Sequence, residues 1–347
     1  MYTMNFCAGP AQLKSHIYQS LIQMIHDYKG TKLSLLSLSH RDELFAEVNH
    51  NIKQYLTQLL NLSNDYEILL MSGGASGQFA AIPMNLNKSG KALYINSGYW
   101  SQAAIKEAKK FIAVDLLSMT ESSDLIASQY DYVHYTENET IDGIQWHYIP
   151  NTSSPLVCDM SSSFLSKPTD ISRYDLVYAG AQKNIGLPGI TVVIIKKSLI
   201  DEDKQSIPAI LNYATMQQTN SLYNTPDVIA WVSVELVLQD LLAQGGLAIV
   251  AENNNHKARL LYKAIDDSKI FNNFIAAEIR SKMNVVFHLP SLDQTTAFLN
   301  FAREKGVYGI AGHRSTGGVR VSLYNSITLD EVKAFITVMQ EFEYHGK

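Results

Sequence analysis

Between Tyr66 and Lys196 the sequence alternates short apolar runs with longer amphipathic ones, and that alternation restricts the fold more than any other feature. YEILLM (66–71), ALYIN (92–96), FIAVD (111–115), DYVHY (131–135), PLVCD (155–159) and DLVYA (175–179) carry the strand signature. They are short, rich in β-branched and aromatic residues, and bounded by Gly, Asn, Asp or Ser. TVVIIKK (191–197) adds a seventh. Stretches 77–86 and 100–111 read as helices between them, and 15–29 and 43–60 as helices ahead of them. Strands alternating with helices predict an α/β unit built on a large, mostly parallel, seven-stranded sheet.

The pattern then changes. Stretch 226–245 is apolar on most faces, with Asp227 near its start and Gly245-Gly246 at its end, which predicts a buried helix with a glycine stop. A second helix covers 247–267. Strands over 284–290, 307–312 and 318–324, with helices over 292–305 and 328–343, make a compact α+β unit. The expected division is a large domain over 16–245 and a small C-terminal domain over 246–347 that also takes in 1–15. No repeat, charge block or Pro-rich linker separates them, so the two should pack tightly.

Composition limits what such a fold serves. Hydrophobic residues are 46% and charged residues 18% of the 347, enough for a large core. A net charge of −5 speaks against a nucleic-acid binder that relies on phosphate neutralisation. Two cysteines, Cys7 and Cys158, exclude a disulfide scaffold and a four-thiolate zinc site. The ten histidines show no H-x-x-x-H spacing, so no metal is expected. The N-terminus lacks a basic region followed by an apolar one, and the most apolar stretch, 190–195, is far too short to span a bilayer. The expected setting is the cytoplasm, with no membrane contact.

Chemistry concentrates at the ends of the apolar runs. Lys183 lies four residues past a strand, among Gly180, Gly186 and Gly189. Small neighbours leave room for a flat ligand, and desolvation lowers an amine's pKa toward nucleophilicity. A plain loop lysine bonded to a carbonyl is the alternative. Asp159 closes PLVCD, where open α/β sheets bind ligands; an N-cap aspartate before Ser161–Ser163 is the other reading. Together they are the two anchors of pyridoxal phosphate: a Schiff-base lysine, and a carboxylate that keeps the pyridine nitrogen protonated.

MSGGASGQF (71–79) follows a strand and opens a helix, a place where backbone N–H groups converge on an anion, or simply a tight turn. Trp100 starts the helix after the next strand and is either a cofactor stack or core. Two His-Arg pairs, His40-Arg41 and His313-Arg314, sit with Arg320 in Gly/Ser-rich loops. Any one of them reads as a surface salt bridge; together they point to a shared anionic substrate.

These motifs resemble the phosphoserine aminotransferases, class V, fold-type I pyridoxal phosphate enzymes, almost end to end. The likeness runs through NFCAGPAQL, LSLSHR (36–41), GGASGQFAAIPMNL (73–86), SGYWSQAAIKEAKK (97–110), NETIDGI (138–144), AGAQKNIG (179–186), YNTPDVIAW (223–231), GHRSTGGVR (312–320) and SLYN (322–325). The resemblance implies Lys183 as the Schiff-base residue, Asp159 on the ring nitrogen and Trp100 on the ring face. It implies Ala75 and Ser76 on the cofactor phosphate, with Thr140 and Gln182 adding hydrogen bonds. Asn224 and Thr225 would reach the phosphate of the neighbouring subunit's cofactor, so activity would need a homodimer. Arg320 would hold the substrate α-carboxylate. His40 and Arg41 from the partner, with His313 and Arg314, would hold a distal phosphate or the glutamate side chain.

The implied reaction is a ping-pong transamination between L-glutamate and 3-phosphohydroxypyruvate, giving O-phospho-L-serine and 2-oxoglutarate for serine synthesis. A related phosphorylated substrate of pyridoxine synthesis is implied as well. The chain departs from the family at Ser76, where some members carry Arg, at Ser37, where Glu is common, and at Ala311, where Lys is common. Fewer cations weaken phosphate binding relative to carboxylate, yet Arg41 and Arg314 still supply two permanent charges against about −1.5 to −2 on a phosphate ester. Three further readings are another class V enzyme, a cysteine desulfurase and a non-catalytic anion-binding α/β protein. A desulfurase needs a mobile nucleophilic cysteine, and neither Cys7 nor Cys158 is marked as one. The third would not need the Lys183/Asp159 pair.

Overall fold

A computed structural model of the chain describes residues 3–119, 129–204 and 206–345. In chain order the elements are β1 (Met4–Asn5), α1 (Ser15–His26), α2 (Glu43–Leu60), β2 (Tyr66–Met71), α3 (Gly74–Leu86), β3 (Lys91–Asn96), α4 (Tyr99–Ala108) and β4 (Ala113–Ser118). There follow β5 (Val133–Thr136), β6 (Asn138–Glu139), β7 (Ile144–Gln145), β8 (Leu156–Asp159), β9 (Leu176–Gly180), β10 (Thr191–Lys196), α5 (Tyr213–Gln218) and α6 (Val228–Ala243). The small unit adds α7 (Leu247–Asp266), β11 (Asn284–Phe287), α8 (Leu292–Glu304), β12 (Val307–Tyr308), β13 (Val319–Ser322) and α9 (Leu329–His345).

All seven expected strands enter one sheet, in the order β2-β10-β9-β8-β5-β3-β4. Successive side chains point to opposite faces, and here both faces are covered. Ile68, Leu70, Ile95, Tyr135, Cys158 and Ile194 join the core beneath α1, α2 and α6. Leu69, Met71, Tyr94, Val157, Tyr178 and Val193 join the core beneath α3, α4 and α5. Such two-sided burial explains the near-continuous apolar runs that mark these strands.

Six strands run in one direction; β10 alone is antiparallel to both its neighbours, with Thr191 opposite Gly180 on β9 and Met71 on β2. The mostly parallel sheet is therefore present, with a reversed strand inside it. Element ends move for local reasons. The strand expected at 111 begins at Ala113, because the N–H groups of Phe111 and Ile112 both donate to Ala108 O and close the turn after α4. Helix α1 stops at His26, and Lys29 takes a left-handed φ of 52°. The expected strand at 307–312 divides: β12 pairs in parallel with β1, and Ala311 makes an isolated antiparallel bridge to Val319.

Helix α2 shows how sequence sets an element. The Asp42 side chain accepts from Leu44 N at its start, Phe45, Val48, Ile52, Leu56 and Leu60 bury one stripe, and Asn61 ends it at a left-handed φ of 48°. Replacing the Asp42 cap by Ala costs about 1 kcal/mol.

A separate core forms from β1, β11, β13, α8, α9 and the second half of α7, with Phe6, Leu261, Phe287, Phe298 and Phe335 at its centre. The first half of α7, through Leu247 and Val250, packs with the large-sheet core instead. That helix thus spans both cores.

Candidate active site

Five parallel strands deliver their C-terminal ends to one side of the sheet, where ligands bind in open α/β folds. There they border a cavity of about 420 Å³, large enough for a cofactor-sized ligand. After β2 come Gly73, Gly74, Ala75 and Ser76; after β3, Trp100; after β5, Thr140; at the end of β8, Asp159; after β9, Gln182 and Lys183. The small unit closes the cavity with His313 and Arg320, and the N-terminal segment with Ala8, Gly9 and Pro10.

Lys183 Nζ donates to Thr140 Oγ1 at 2.8 Å and lies 5.3 Å from the centre of the Trp100 ring. Burial pulls its pKa down to about 8; the charges of Asp159 and Glu139 act the other way. At pH 7 such an amine is neutral in about one molecule in ten, against one in a few thousand for an ordinary lysine. Asp159 is buried, and its Oδ1 accepts from Ser161 N at 2.8 Å. Burial raises its carboxyl pKa, opposed by the Lys183 charge. A cationic group brought against Asp159 would offset that burial cost.

The first turn of α3 faces the same space. Gly73 and Gly74 both have positive φ, 98° and 64°, and no side chain caps the helix. Its first N–H groups are therefore available to an anion. A Cβ on Gly74 would meet nothing within 4 Å, so open room lies beside them. Arg320 Nε and Trp100 Nε1 are buried donors without a hydrogen-bond partner among the described residues.

Of the residues singled out in the sequence, Ala75, Ser76, Trp100, Thr140, Asp159, Gln182, Lys183, His313 and Arg320 line the one cavity. His40, Arg41, Asn224, Thr225 and Arg314 do not line it. Asn224 Nδ2 donates to its neighbour's carbonyl, Thr225 O, and Arg314 is exposed on the loop after His313.

Sequence reasoning missed the acids that hold Trp100 in place. Glu139 accepts from Trp100 N and Ser101 N at 2.8 Å each, and Asp142 accepts from Tyr99 N at 2.8 Å. The helix therefore takes its N-terminal caps from the 138–142 segment, 38 to 43 residues further along the chain. Tyr99 was missed too: its ring lies 5.0 Å from that of His313 and 5.3 Å from that of Trp100. Ser315 lies against His313 Nδ1, with its Oγ at 2.7 Å and its N–H at 3.3 Å. Cys158 lies in the core with its thiol pKa pushed well up by burial, the opposite of a nucleophile.

Comparison with known proteins gives the same picture. Residues 3–335 match the class-V aminotransferase family. A phosphoserine aminotransferase of Acinetobacter baumannii is 43% identical, over 99% of each chain. The phosphoserine aminotransferase structure from Bacillus circulans subsp. alkalophilus superposes with a TM-score of 0.96 at 36% identity, covering 100% of this chain and 99% of that one. The pyridoxal phosphate-bound phosphoserine aminotransferase of Trichomonas vaginalis gives 0.92 at 32% identity, covering 98% and 100%.

Proposed function

The chain belongs to the class-V aminotransferase family, and on that footing we propose that it moves the amino group of L-glutamate to 3-phosphohydroxypyruvate, yielding 2-oxoglutarate and O-phospho-L-serine. The observation that carries the reading is the pairing of a lysine of lowered pKa with a buried carboxylate at the ends of adjacent strands, in a cleft walled by Trp100 and Arg320. The cofactor is pyridoxal phosphate, which supplies an electron sink beside the substrate's α-carbon.

The residues fit that group. The uncapped first turn of α3, with Ala75 and Ser76, suits its phosphate. Asp159 suits its protonated ring nitrogen, which would relieve the cost of burying the carboxylate. Trp100 covers one face, and Thr140 and Gln182 add hydrogen bonds at the edge. Lys183 would hold it covalently and, when free, would be the base that takes the α-proton of the amino acid. Its lowered pKa keeps it neutral in a useful fraction for that task. Arg320, with a buried donor that has no partner among the described residues, suits the α-carboxylate as a bidentate clamp. His313, on the cavity wall, would face an anionic tail.

The remaining cations belong, in this reading, to a homodimer. His40, Arg41, Asn224 and Thr225 stand away from their own chain's cavity. Tyr18, Ile22, Leu33, Leu36 and Tyr223, on the same or neighbouring segments, are exposed apolar side chains suited to a subunit contact. Arg41 of the partner with Arg314 and the two histidines would then complete a phosphate pocket. The reading carries with it a cytoplasmic location and a second, related phosphorylated substrate in pyridoxine synthesis.

The test is a half-reaction screen, in which the pyridoxal phosphate-loaded enzyme is mixed with single amino acids and conversion to the pyridoxamine form is followed by absorbance. O-Phosphoserine and glutamate should convert at low concentration, and Arg314→Ala should harm phosphoserine more. Faster conversion by serine, alanine or aspartate would remove the phosphate pocket and leave a class V aminotransferase of another specificity. Absence of any band at 400–430 nm would remove the cofactor.

A further inference from the structure

A buried chain of hydrogen bonds joins the two cores at the active site. Lys183 Nζ donates to Thr140 Oγ1 at 2.8 Å, and Thr140 Oγ1 donates to Ser162 Oγ at 2.9 Å. Ser162 Oγ also accepts from Asn138 Nδ2 at 2.7 Å. The same Asn138 amide donates to Asn284 Oδ1 at 2.7 Å, across the boundary to β11 of the small unit. Asn284 Nδ2 donates onward to Ser322 Oγ on β13 at 2.9 Å and to Tyr324 Oη at 3.3 Å. Tyr324 Oη donates to Ala8 O, on the cavity wall, at 2.9 Å.

Thr140, Ser162, Asn138, Asn284, Ser322 and Tyr324 are all at most 2% exposed. Buried polar groups of this kind are costly unless fully paired, and a fully paired network holds a single geometry. β11 and β13 are antiparallel, with Asn284 opposite Ser322 and Val286 opposite Arg320. Arg320 and Ser322, two apart on one strand, share a face. The network therefore starts at the lysine of the large unit and ends two residues from the arginine of the small one. Asn138 makes two links across the boundary: its Nδ2 donates to Asn284 Oδ1, and its Oδ1 accepts from Ser281 Oγ.

We infer that Asn138 and Asn284 are positioning residues, which set the placement of Arg320 relative to Lys183 and fix the direction of the Thr140 hydroxyl. Neither lines the cavity. The inference rests on the reading of Lys183 as the cofactor's attachment and Arg320 as the carboxylate clamp. A misplacement of about 1 Å at a reacting centre costs on the order of 10²-fold in rate, so loosening this link should register far from where the bond is cut. The Thr140 hydroxyl accepts from the amine, and a hydrogen bond to the charged form favours it. Turning that hydroxyl away should thus lower the pH at which the free amine loses its proton, read as the pH midpoint of pyridoxal phosphate uptake by the cofactor-free protein.

The experiment compares wild type, Asn138→Ala, Asn284→Ala and the double variant, each with and without pyridoxal phosphate. Three readouts are taken: the pH midpoint of cofactor uptake by the cofactor-free protein, KM for glutamate against kcat of the loaded enzyme, and the melting temperature. Each single variant should move the midpoint and lower kcat/KM about ten- to a hundredfold, Asn138→Ala the more because it also loses the Ser281 bond, and the double variant should go little further than Asn138→Ala, since the two share the Asn138–Asn284 bond. Ser322→Ala, a milder cut at the far end, should raise KM in the same direction even if the asparagine variants fold poorly. Variants that melt earlier but keep the wild-type midpoint and KM, or single effects that simply add, would overturn the inference. A wild-type protein that takes up no cofactor would instead overturn the reading beneath it.

Discussion

The ring of Tyr99 lies 5.0 Å from that of His313, so the helix that carries Trp100 touches the loop that carries Arg314. Tyr99 is also in edge contact with Trp100 at 5.3 Å. It stands between the wall of the cofactor cleft and the loop assigned to the substrate's distal group. Aromatic pairs of this sort contribute about 0.5–1.5 kcal/mol. Tyr99→Ala should therefore raise KM for the phosphorylated substrate about two- to tenfold, while Tyr99→Phe keeps the ring and stays near wild type. Initial-rate measurements decide; an unchanged KM in the alanine variant would mean that the contact does not hold His313.

The lowered pKa of Lys183 has a definite sign. Only the neutral amine reacts with an aldehyde, so the rate at which cofactor-free protein takes up pyridoxal phosphate should rise tenfold per pH unit below about 8 and level off above it. An ordinary lysine would keep rising toward 10.5. The unfolded chain also binds this proton up to 10.5, so between about 8 and 10.5 the unfolded state holds more proton and the contribution to stability rises with pH. Stopped-flow uptake across pH 6–10 checks the first part, and denaturant melts of Lys183→Met, which should flatten that rise, the second.

Gly98 is extended, with φ 168°, so its role is room rather than conformation. A Cβ there would stand 2.5 Å from Asp142 Oδ2 and 2.8 Å from Glu139 Cδ. Gly98→Ala should push both acids off the N–H groups of Tyr99, Trp100 and Ser101. Leaving such donors unpaired costs about 1–3 kcal/mol each. The variant should melt earlier and bind cofactor more weakly, with a changed tryptophan emission. Wild-type affinity would show that the caps do not aim Trp100.

The proposal that the site is shared between subunits makes its own demand. Lys183→Ala and Arg41→Ala chains, each inactive alone, should regain part of their activity when mixed under conditions where subunits exchange. No recovery, with exchange confirmed by mass, would place Arg41 and Lys183 in the same chain's site.

Much of this site is legible in the sequence because its residues end apolar runs. Asp159 closes one strand and Lys183 follows the next, and open sheets bind at that edge whatever their partners. The direction of β10 was readable too: only ten residues, 181–190, separate it from β9, and a parallel crossover needs a dozen or more. Glu139 and Asp142 left no local sign, since the helix they cap begins about forty residues earlier. Asn284 reads only as the first residue of a strand; its partner Asn138 lies 146 residues away, and no periodicity records a bond of that range.

The reversed β10 makes the segment around Lys183 an arch with both feet in the same sheet. Ala181 N donates to Ile190 O at 3.0 Å at its base, Ile185 N and Gly186 N turn back onto Ala181 O, and Leu187 N is held by Ser233 Oγ at 2.9 Å. A loop whose ends are already closed has little chain entropy left to lose. In the proposed reaction each turnover would release the lysine and then reclaim it. On this arch the freed side chain remains a tethered reagent, so its return is an intramolecular event at high effective concentration rather than a search.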